Sequence, residues 1–269
     1  MDYIEVHIHT TSVEKREILI SLLAEENFES FVESEEELKA YISVTNYVRG
    51  IVEQICHKFE VEFTVKEIPG QNWNAEWERN FEPVLIADTC YIRAPFHAPR
   101  PGYRYEIIIE PKMSFGTAHH ETTAMMIEVM MTLDFHGKRV LDMGCGTGIL
   151  AILATRMGAS LVDAIDNDEW AYANAIENVE KNHASAVNVM RGDIDAAADD
   201  YDILLANINR NVLLEHLPQY SKRLKKGDLL LSGFYAEDLD VIRQTAKSNS
   251  FLFDSNITKN QWVAARFKK

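Results

Sequence analysis

The sequence predicts an α/β chain in two parts: a small α+β module over residues 1–66 and a larger doubly wound sheet over 83–269, joined by a helical linker over 67–82. Three observations predict it. The run Val140-Leu141-Asp142-Met143 leads into Gly144, Gly146 and Gly148 at alternate positions, and helix-forming residues from Ile149 to Met157 follow at once. Further apolar runs end, in order, at Asp166, Asp193 and Asn207. Ahead of all of these, six short segments follow the order strand, helix, strand, strand, helix, strand.

In the first part, Ile4, Val6 and Ile8 alternate with Glu5, His7 and His9, the pattern of a half-buried strand. His7 and His9 then share an ordinary wet face, without the further ligands a metal needs. Thr11 and Glu14 have capping-box spacing and open a helix whose stripe is Ile18, Leu19, Leu22 and Leu23. Phe28 to Val32 and the alternating Leu38, Ala40 and Ile42 read as strands. Tyr47, Ile51, Val52 and Ile55 make a second helical stripe, and Val61, Phe63 and Val65 a last strand. This is the split ferredoxin-like order, common in recognition modules, although fold alone does not establish that role. Pro69-Gly70 marks a break. In the linker, Trp73 and Trp77 stand four apart and share one face of a helix, placed to pack rather than to touch substrate, and Pro83 ends it.

The second part opens with short strands around 84–87, 90–93 and 105–109. A polar loop from Pro111 to Thr123 runs into a helix near Glu121 and is placed to fold over a ligand as a lid. Its His119-His120 pair has no Cys or acid cluster nearby, so no metal is expected. The glycine turn lets backbone take positive φ and come close to a ligand. Its G-x-G-x-G spacing differs from the G-x-G-x-x-G of dinucleotide binders. Asp142 just before it would repel a pyrophosphate and attract the cationic amino-acid end of S-adenosylmethionine. Asp166 stands 20 residues after Gly146, where a ribose-binding carboxylate is expected. Asp142, Asp166, Asp193 and Asn207 would all stand on the rim at the carboxyl ends of the strands, where such sheets bind ligands. Each alone also reads as a turn or cap residue; four in order argue for a ligand. A strand at 229–231, a helix from Ala236 to Lys247 and two last strands around 251–253 and 262–267 complete a seven-stranded sheet with one antiparallel member.

The chain of 269 residues carries a net charge of −15. Residues 1–65 hold 14 acidic against 5 basic side chains, and the remainder 28 against 22. An acidic surface disfavours direct contact with nucleic-acid phosphates and favours a basic partner. No apolar run approaches the ~20 residues of a membrane span, and the N-terminus lacks the pattern of a signal peptide. Cys56, Cys90 and Cys145 are scattered, which fits a reducing cytoplasm and neither a disulfide framework nor a zinc site. Cys145, inside the glycine turn, reads as a small residue packed beneath the ligand.

The glycine turn with its ordered strand-end acids resembles the class I S-adenosylmethionine-dependent methyltransferases. The loop Pro111-Lys112-Met113-Ser114-Phe115-Gly116-Thr117-Ala118-His119-His120-Glu121-Thr122-Thr123, the turn from Asp142 to Gly148 and Ala206-Asn207-Ile208 together resemble the PrmA family. That family methylates lysine and the terminal amine of protein eleven of the large ribosomal subunit. The resemblance spans nearly the whole chain. It implies a Rossmann-like seven-stranded class I methyltransferase domain preceded by a small ferredoxin-like α+β domain. It implies S-adenosylmethionine as cofactor, S-adenosylhomocysteine as product, no metal, and a basic ribosomal protein met through the acidic N-terminal domain. Thr123, Gly144, Asp166 and Asn207 match the family's cofactor-contacting positions, and Gly146 lies in the same turn. Asn207 is the candidate catalytic residue, its carbonyl accepting from the cofactor or the incoming amine. The chain departs from the family at Lys112, where a smaller residue is usual, and at Ala118, where glycine is usual; alanine dislikes positive φ, so that loop is expected to differ. It also departs at Ile208-Asn209-Arg210-Asn211, where the family often has a short apolar stretch. A different acceptor (another protein, RNA or a small molecule) and a non-catalytic docking factor are the competing readings. Glutamine methyltransferases carry Asn-Pro-Pro-Tyr where this chain has Asn207-Ile208-Asn209-Arg210.

Overall fold

A computed structural model describes residues 3–34, 36–68, 81–112 and 114–269. The Pro69-Gly70 break, the Trp73 and Trp77 pair and Met113 lie outside the described residues. The chain divides into two compact units, Met1–Phe81 and Glu82–Lys269. Seven helices are present among the described residues.

In the first unit, β1 (Tyr3–His9), α1 (Val13–Glu25), β2 (Ser30–Glu33), β3 (Glu37–Ser43), α2 (Arg49–Lys58) and β4 (Glu62–Ile68) follow one another. The four strands form an antiparallel sheet in the order β2-β3-β1-β4. Period-two burial drives it: Ile4, Val6 and Ile8 of β1 meet Leu38, Ala40 and Ile42 of β3, and Leu19, Leu23, Val52 and Cys56 of the helices close the same core. Helix α1 is capped one residue later than the capping-box spacing suggests. Ser12, not Thr11, has extended backbone and accepts from Lys15 N at 3.3 Å. The opposite face of β1 is not simply wet. Glu5 is buried and takes His7 Nε2 at 2.6 Å and Tyr41 Oη at 2.8 Å. The bond to His7 holds the Glu5 carboxyl below its usual range.

The second unit starts with a three-stranded sheet, β5 (Val84–Ile86), β6 (Cys90–Arg93) and β7 (Tyr105–Ile108). Then come α3 (Glu121–Met130), β8 (Arg139–Met143), α4 (Ile149–Arg156), β9 (Leu161–Asp166), α5 (Glu169–Lys181) and β10 (Val187–Arg191). They are followed by β11 (Tyr201–Asn207), α6 (Arg210–Arg223), β12 (Leu224–Tyr235), α7 (Leu239–Ser248), β13 (Leu252–Lys259) and β14 (Trp262–Lys268). The large sheet runs β10-β9-β8-β11-β12-β14-β13. Its ladders are parallel except those that β14 makes with β12 and β13.

Both faces of this sheet are covered, which explains the near-continuous apolar runs. In β11, Ile203 and Leu205 join the core under α3 and α4, while Leu204 and Ala206 join the core under α6 and α7. The chain leaves β8 toward β9 on one side and returns through β11 on the other. That reversal opens a crevice at the carboxyl ends of β8 and β11, where a ligand fits. Helix α5 adds a less expected device. Asn182 exchanges hydrogen bonds with Ile108 N and O at 2.9 and 2.6 Å. Asn178 takes Glu110 N at 2.8 Å and gives to Thr147 O at 2.9 Å. Asparagines four apart on one helical face thus stand in for a partner strand, joining the segment after β7 to the glycine turn.

Candidate active site

The glycine turn is held by backbone. Gly144 N and Cys145 N both donate to Ile165 O, at 2.8 and 3.1 Å, so the end of β9 fixes the turn after β8. Gly144 and Gly146 have φ of +69° and +55°. A Cβ on Gly144 would stand 2.1 Å from Ile208 Cγ2, and one on Gly146 would stand 2.3 Å from Phe115 O. No side chain is compatible with either place. The loop before α3 is tied to the same turn, with Thr147 N donating to Phe115 O at 3.0 Å and Thr147 Oγ1 to Gly116 O at 2.6 Å.

A cleft of about 650 Å³ opens over the turn, and Gly144, Gly146, Asp166, Asp193 and Asn207 all line it. Asp166 accepts from Gly146 N at 2.9 Å through Oδ2 and from Asp168 N at 3.0 Å through Oδ1. Asn207 gives its Nδ2–H to Thr123 Oγ1 at 3.2 Å. Its Oδ1 is buried and has no partner among the described residues. The Oγ of Ser114, also in the cleft wall, is likewise buried and unpaired among the described residues. Unsatisfied buried polar atoms are costly, and two of them on residues that line one cleft fit a polar ligand. Thr123 stands behind the wall, buried, as the support of Asn207, whereas its neighbour Thr122 lines the cleft.

Asp142 is a correction. The strand-end pattern puts it on the rim, but it turns inward, 1 % exposed, and accepts from Ala151 N at 3.1 Å at the start of α4. Met143, the next residue, is the one that reaches the cleft. Burial pushes the Asp142 carboxyl up to about 7, so attraction of a cationic ligand does not rest on it. Burial also pushes the Cys145 thiol up, which removes it as a nucleophile.

Ala118 takes φ of +69° and is buried, so the left-handed turn survives the loss of glycine. Lys112 pairs with Glu177 on the outside of α5. His119 bonds to Glu82 O at 2.9 Å and to Thr117 Oγ1 at 3.1 Å. His120 caps α3 and belongs to an aromatic wall that sequence reasoning missed. Its ring lies 5.2 Å from Phe115 and 4.9 Å from Trp262, and Trp262 lies 4.0 Å from Tyr235. Phe115, His120 and Trp262 line the cleft beside Asn207. His216 of α6 and the exposed Trp170 of α5 line it too. Trp262 lies 55 residues after Asn207, so no local pattern joins them.

The strand order and the single antiparallel strand define the class: this is the fold of the class I methyltransferases. Two solved structures share it. The ribosomal protein L11 methylase of Lactobacillus delbrueckii subsp. bulgaricus is similar at a TM-score of 0.65 and 25 % identity, over 70 % of this chain and 98 % of that chain. A methyltransferase from Pyrococcus furiosus shares the fold at a TM-score of 0.52 and 19 % identity, over 61 % and 89 %. The family model described as ribosomal protein L11 methyltransferase (PrmA) matches residues 3–269. Proteins of that name from Phocaeicola vulgatus and Porphyromonas gingivalis are 41 % and 43 % identical, covering 99 % and 93 % of this chain and 99 % and 90 % of their own. The chain belongs to the ribosomal protein L11 methyltransferase (PrmA) family.

Proposed function

We propose that the protein transfers methyl groups from S-adenosylmethionine to lysine side-chain and N-terminal amines of ribosomal protein L11. The observation that carries this reading is the Asn207 Oδ1, unpaired among the described residues, on a cleft that Phe115, His120 and Trp262 also line. When bound, S-adenosylmethionine supplies an electrophilic methyl group on a sulfonium. Gly144 and Gly146 give the backbone approach, and Asp166 keeps lone pairs beyond its two backbone bonds for ribose hydroxyls. The rest of the task is to deliver a neutral amine. A lysine amine ionises near 10.4 in water and must shed a proton before it can attack. Phe115, His120 and Trp262 strip water from it, which lowers that value. The Asn207 carbonyl then accepts one amine N–H and so aims the lone pair. Thr123 is a positioning residue, because its bond to Nδ2 keeps the amide from turning its oxygen away. Once methylated, the cationic amine is held by ring faces, so the same wall suits repeated methylation.

The antiparallel β2-β3-β1-β4 order supports reading the first unit as a ferredoxin-like recognition domain. Its excess of acidic residues suits a basic substrate, with encounter that slows as salt rises. Three free, buried cysteines suit a reducing cytoplasm. The test is Asn207→Ala, assayed for methyl transfer to purified L11. Turnover should fall by ~10²–10³-fold, the scale for loss of one reaction-centre hydrogen bond, with S-adenosylhomocysteine affinity reduced far less. Turnover close to that of the unaltered protein would remove Asn207 from the reaction centre.

A further inference from the structure

Thr147, fully buried behind the glycine turn, is bonded on three sides. Its N donates to Phe115 O at 3.0 Å, its Oγ1 donates to Gly116 O at 2.6 Å, and its O accepts from Asn178 Nδ2 at 2.9 Å. Asn178 Oδ1 also takes Glu110 N at 2.8 Å, so the loop before α3 is gripped at its root and again at Phe115 and Gly116. The contact is filled as well as bonded. A Cβ on Gly116 would stand 2.9 Å from Thr147 Oγ1, just as one on Gly146 would stand 2.3 Å from Phe115 O. The Phe115–Gly116 peptide therefore has no slack against the turn.

The two sides of this contact face different ligands. On one side are Gly144 and Gly146, the backbone that approaches the cofactor. On the other is Phe115, whose ring lines the cleft 5.2 Å from His120, which in turn lies 4.9 Å from Trp262. A ligand that fixes the turn therefore also fixes Phe115 O, and through it the rings that receive the amine. One backbone N–H alone would leave that peptide free to pivot about a single hydrogen bond. The hydroxyl on the next carbonyl supplies the second point of attachment. We propose that the Thr147 hydroxyl couples the two halves of the site, so that cofactor bound at the turn tightens binding of the acceptor at the aromatic wall. This rests on the cofactor and acceptor reading above and deepens it. Thr147 is a positioning residue: it acts through Phe115 and Gly116 and leaves the ligands to others. Coupling between two sites is reciprocal and is commonly ~5–150-fold.

The experiment titrates purified L11 calorimetrically into the whole protein, with and without saturating S-adenosylhomocysteine, and uses melting curves to verify folding. In the unaltered protein S-adenosylhomocysteine should tighten L11 binding at least fivefold, the low end of such couplings. Thr147→Val keeps the shape of the side chain and removes the hydroxyl, and there the effect should shrink to within twofold. Thr147→Ser returns the hydroxyl without the methyl and should restore at least threefold, which a purely packing role would not produce. Should Thr147→Val melt below the assay temperature, Thr147→Ala takes its place with the same expectation. Independent binding of the two ligands by the unaltered protein overturns the inference and leaves the functional reading intact. So does an effect that survives in Thr147→Val or that Thr147→Ser fails to restore. Loss of S-adenosylhomocysteine binding by a folded Thr147→Val also overturns it, because Thr147 would then belong to the cofactor site itself. Failure of the unaltered protein to bind S-adenosylhomocysteine or L11 overturns both.

Discussion

The two walls of the cleft are built from different materials. One is backbone: Gly144 and Gly146 at positive φ, pinned by Ile165 O and Phe115 O, with Asp166 bonded to main-chain N–H groups. The other is side chains gathered from distant places: Phe115 and His120 before α3, Asn207 at the end of β11 and Trp262 in β14. The backbone wall has no room for variation, because any added atom meets main chain or Ile208. The side-chain wall can change residue by residue without moving the sheet. A cofactor common to many enzymes suits the first wall, and an acceptor particular to a few suits the second.

That contrast is sharpest at Gly146→Ala. A left-handed alanine costs ~1–2 kcal/mol, and overpacking against Phe115 O adds ~1–3 kcal/mol, so a thermal melt should show a loss of several degrees together with weaker S-adenosylhomocysteine binding. An unchanged melt would show that the turn is softer than its contacts suggest. Next in size is Asp142→Asn. The folded carboxyl ionises near 7, above its ordinary value of 3.8, because it is buried. Its neutral form is the one that suits the fold, so its contribution is complete below pH ~4 and is lost as pH rises through ~7. The unaltered protein should lose roughly 2–4 kcal/mol across that window relative to Asp142→Asn, which keeps an acceptor for Ala151 N and does not ionise. Parallel stability curves for the two proteins from pH 4 to 8 would contradict this.

Trp262→Ala addresses the other wall alone. Cation–π and desolvation contributions of ~1 kcal/mol predict a roughly fivefold loss in kcat/KM for the protein acceptor, with cofactor affinity kept. A loss confined to cofactor affinity would move Trp262 to the other wall. The smallest effect belongs to Ala118→Gly. Relief of the left-handed strain is offset by lost methyl burial and added chain entropy, so stability should shift by less than ~1 kcal/mol. A larger change in either direction, read from denaturant midpoints, would mean that this turn governs how the loop rests on Thr147.

Continuous apolar runs mark the inner strands of the large sheet, because burial on both faces leaves a signal within a few residues, whereas the half-exposed β13 and the ends of β12 extend beyond the expected 251–253 and 229–231. The glycine turn was readable for the same reason, since positive φ and close approach are local demands. Asp142 was misplaced because a strand-end acid and a helix-capping acid have the same local pattern; only the packing of α4 over β8 separates them. Thr11 and Ser12 differ by one position that a spacing rule does not distinguish. The Asn178 and Asn182 ladder and Trp262 carry no local signal, because their partners lie elsewhere in the chain. The carboxyl-end rim was visible residue by residue, whereas the acceptor wall exists only after folding.

The most direct test of the account is transfer of labelled methyl from S-adenosylmethionine to purified L11, with free RNA and a small-molecule pool as parallel acceptors. The account predicts label on L11 amines, falling as salt rises and nearly abolished by Asn207→Ala. Label on RNA or small molecules with none on L11 would contradict it.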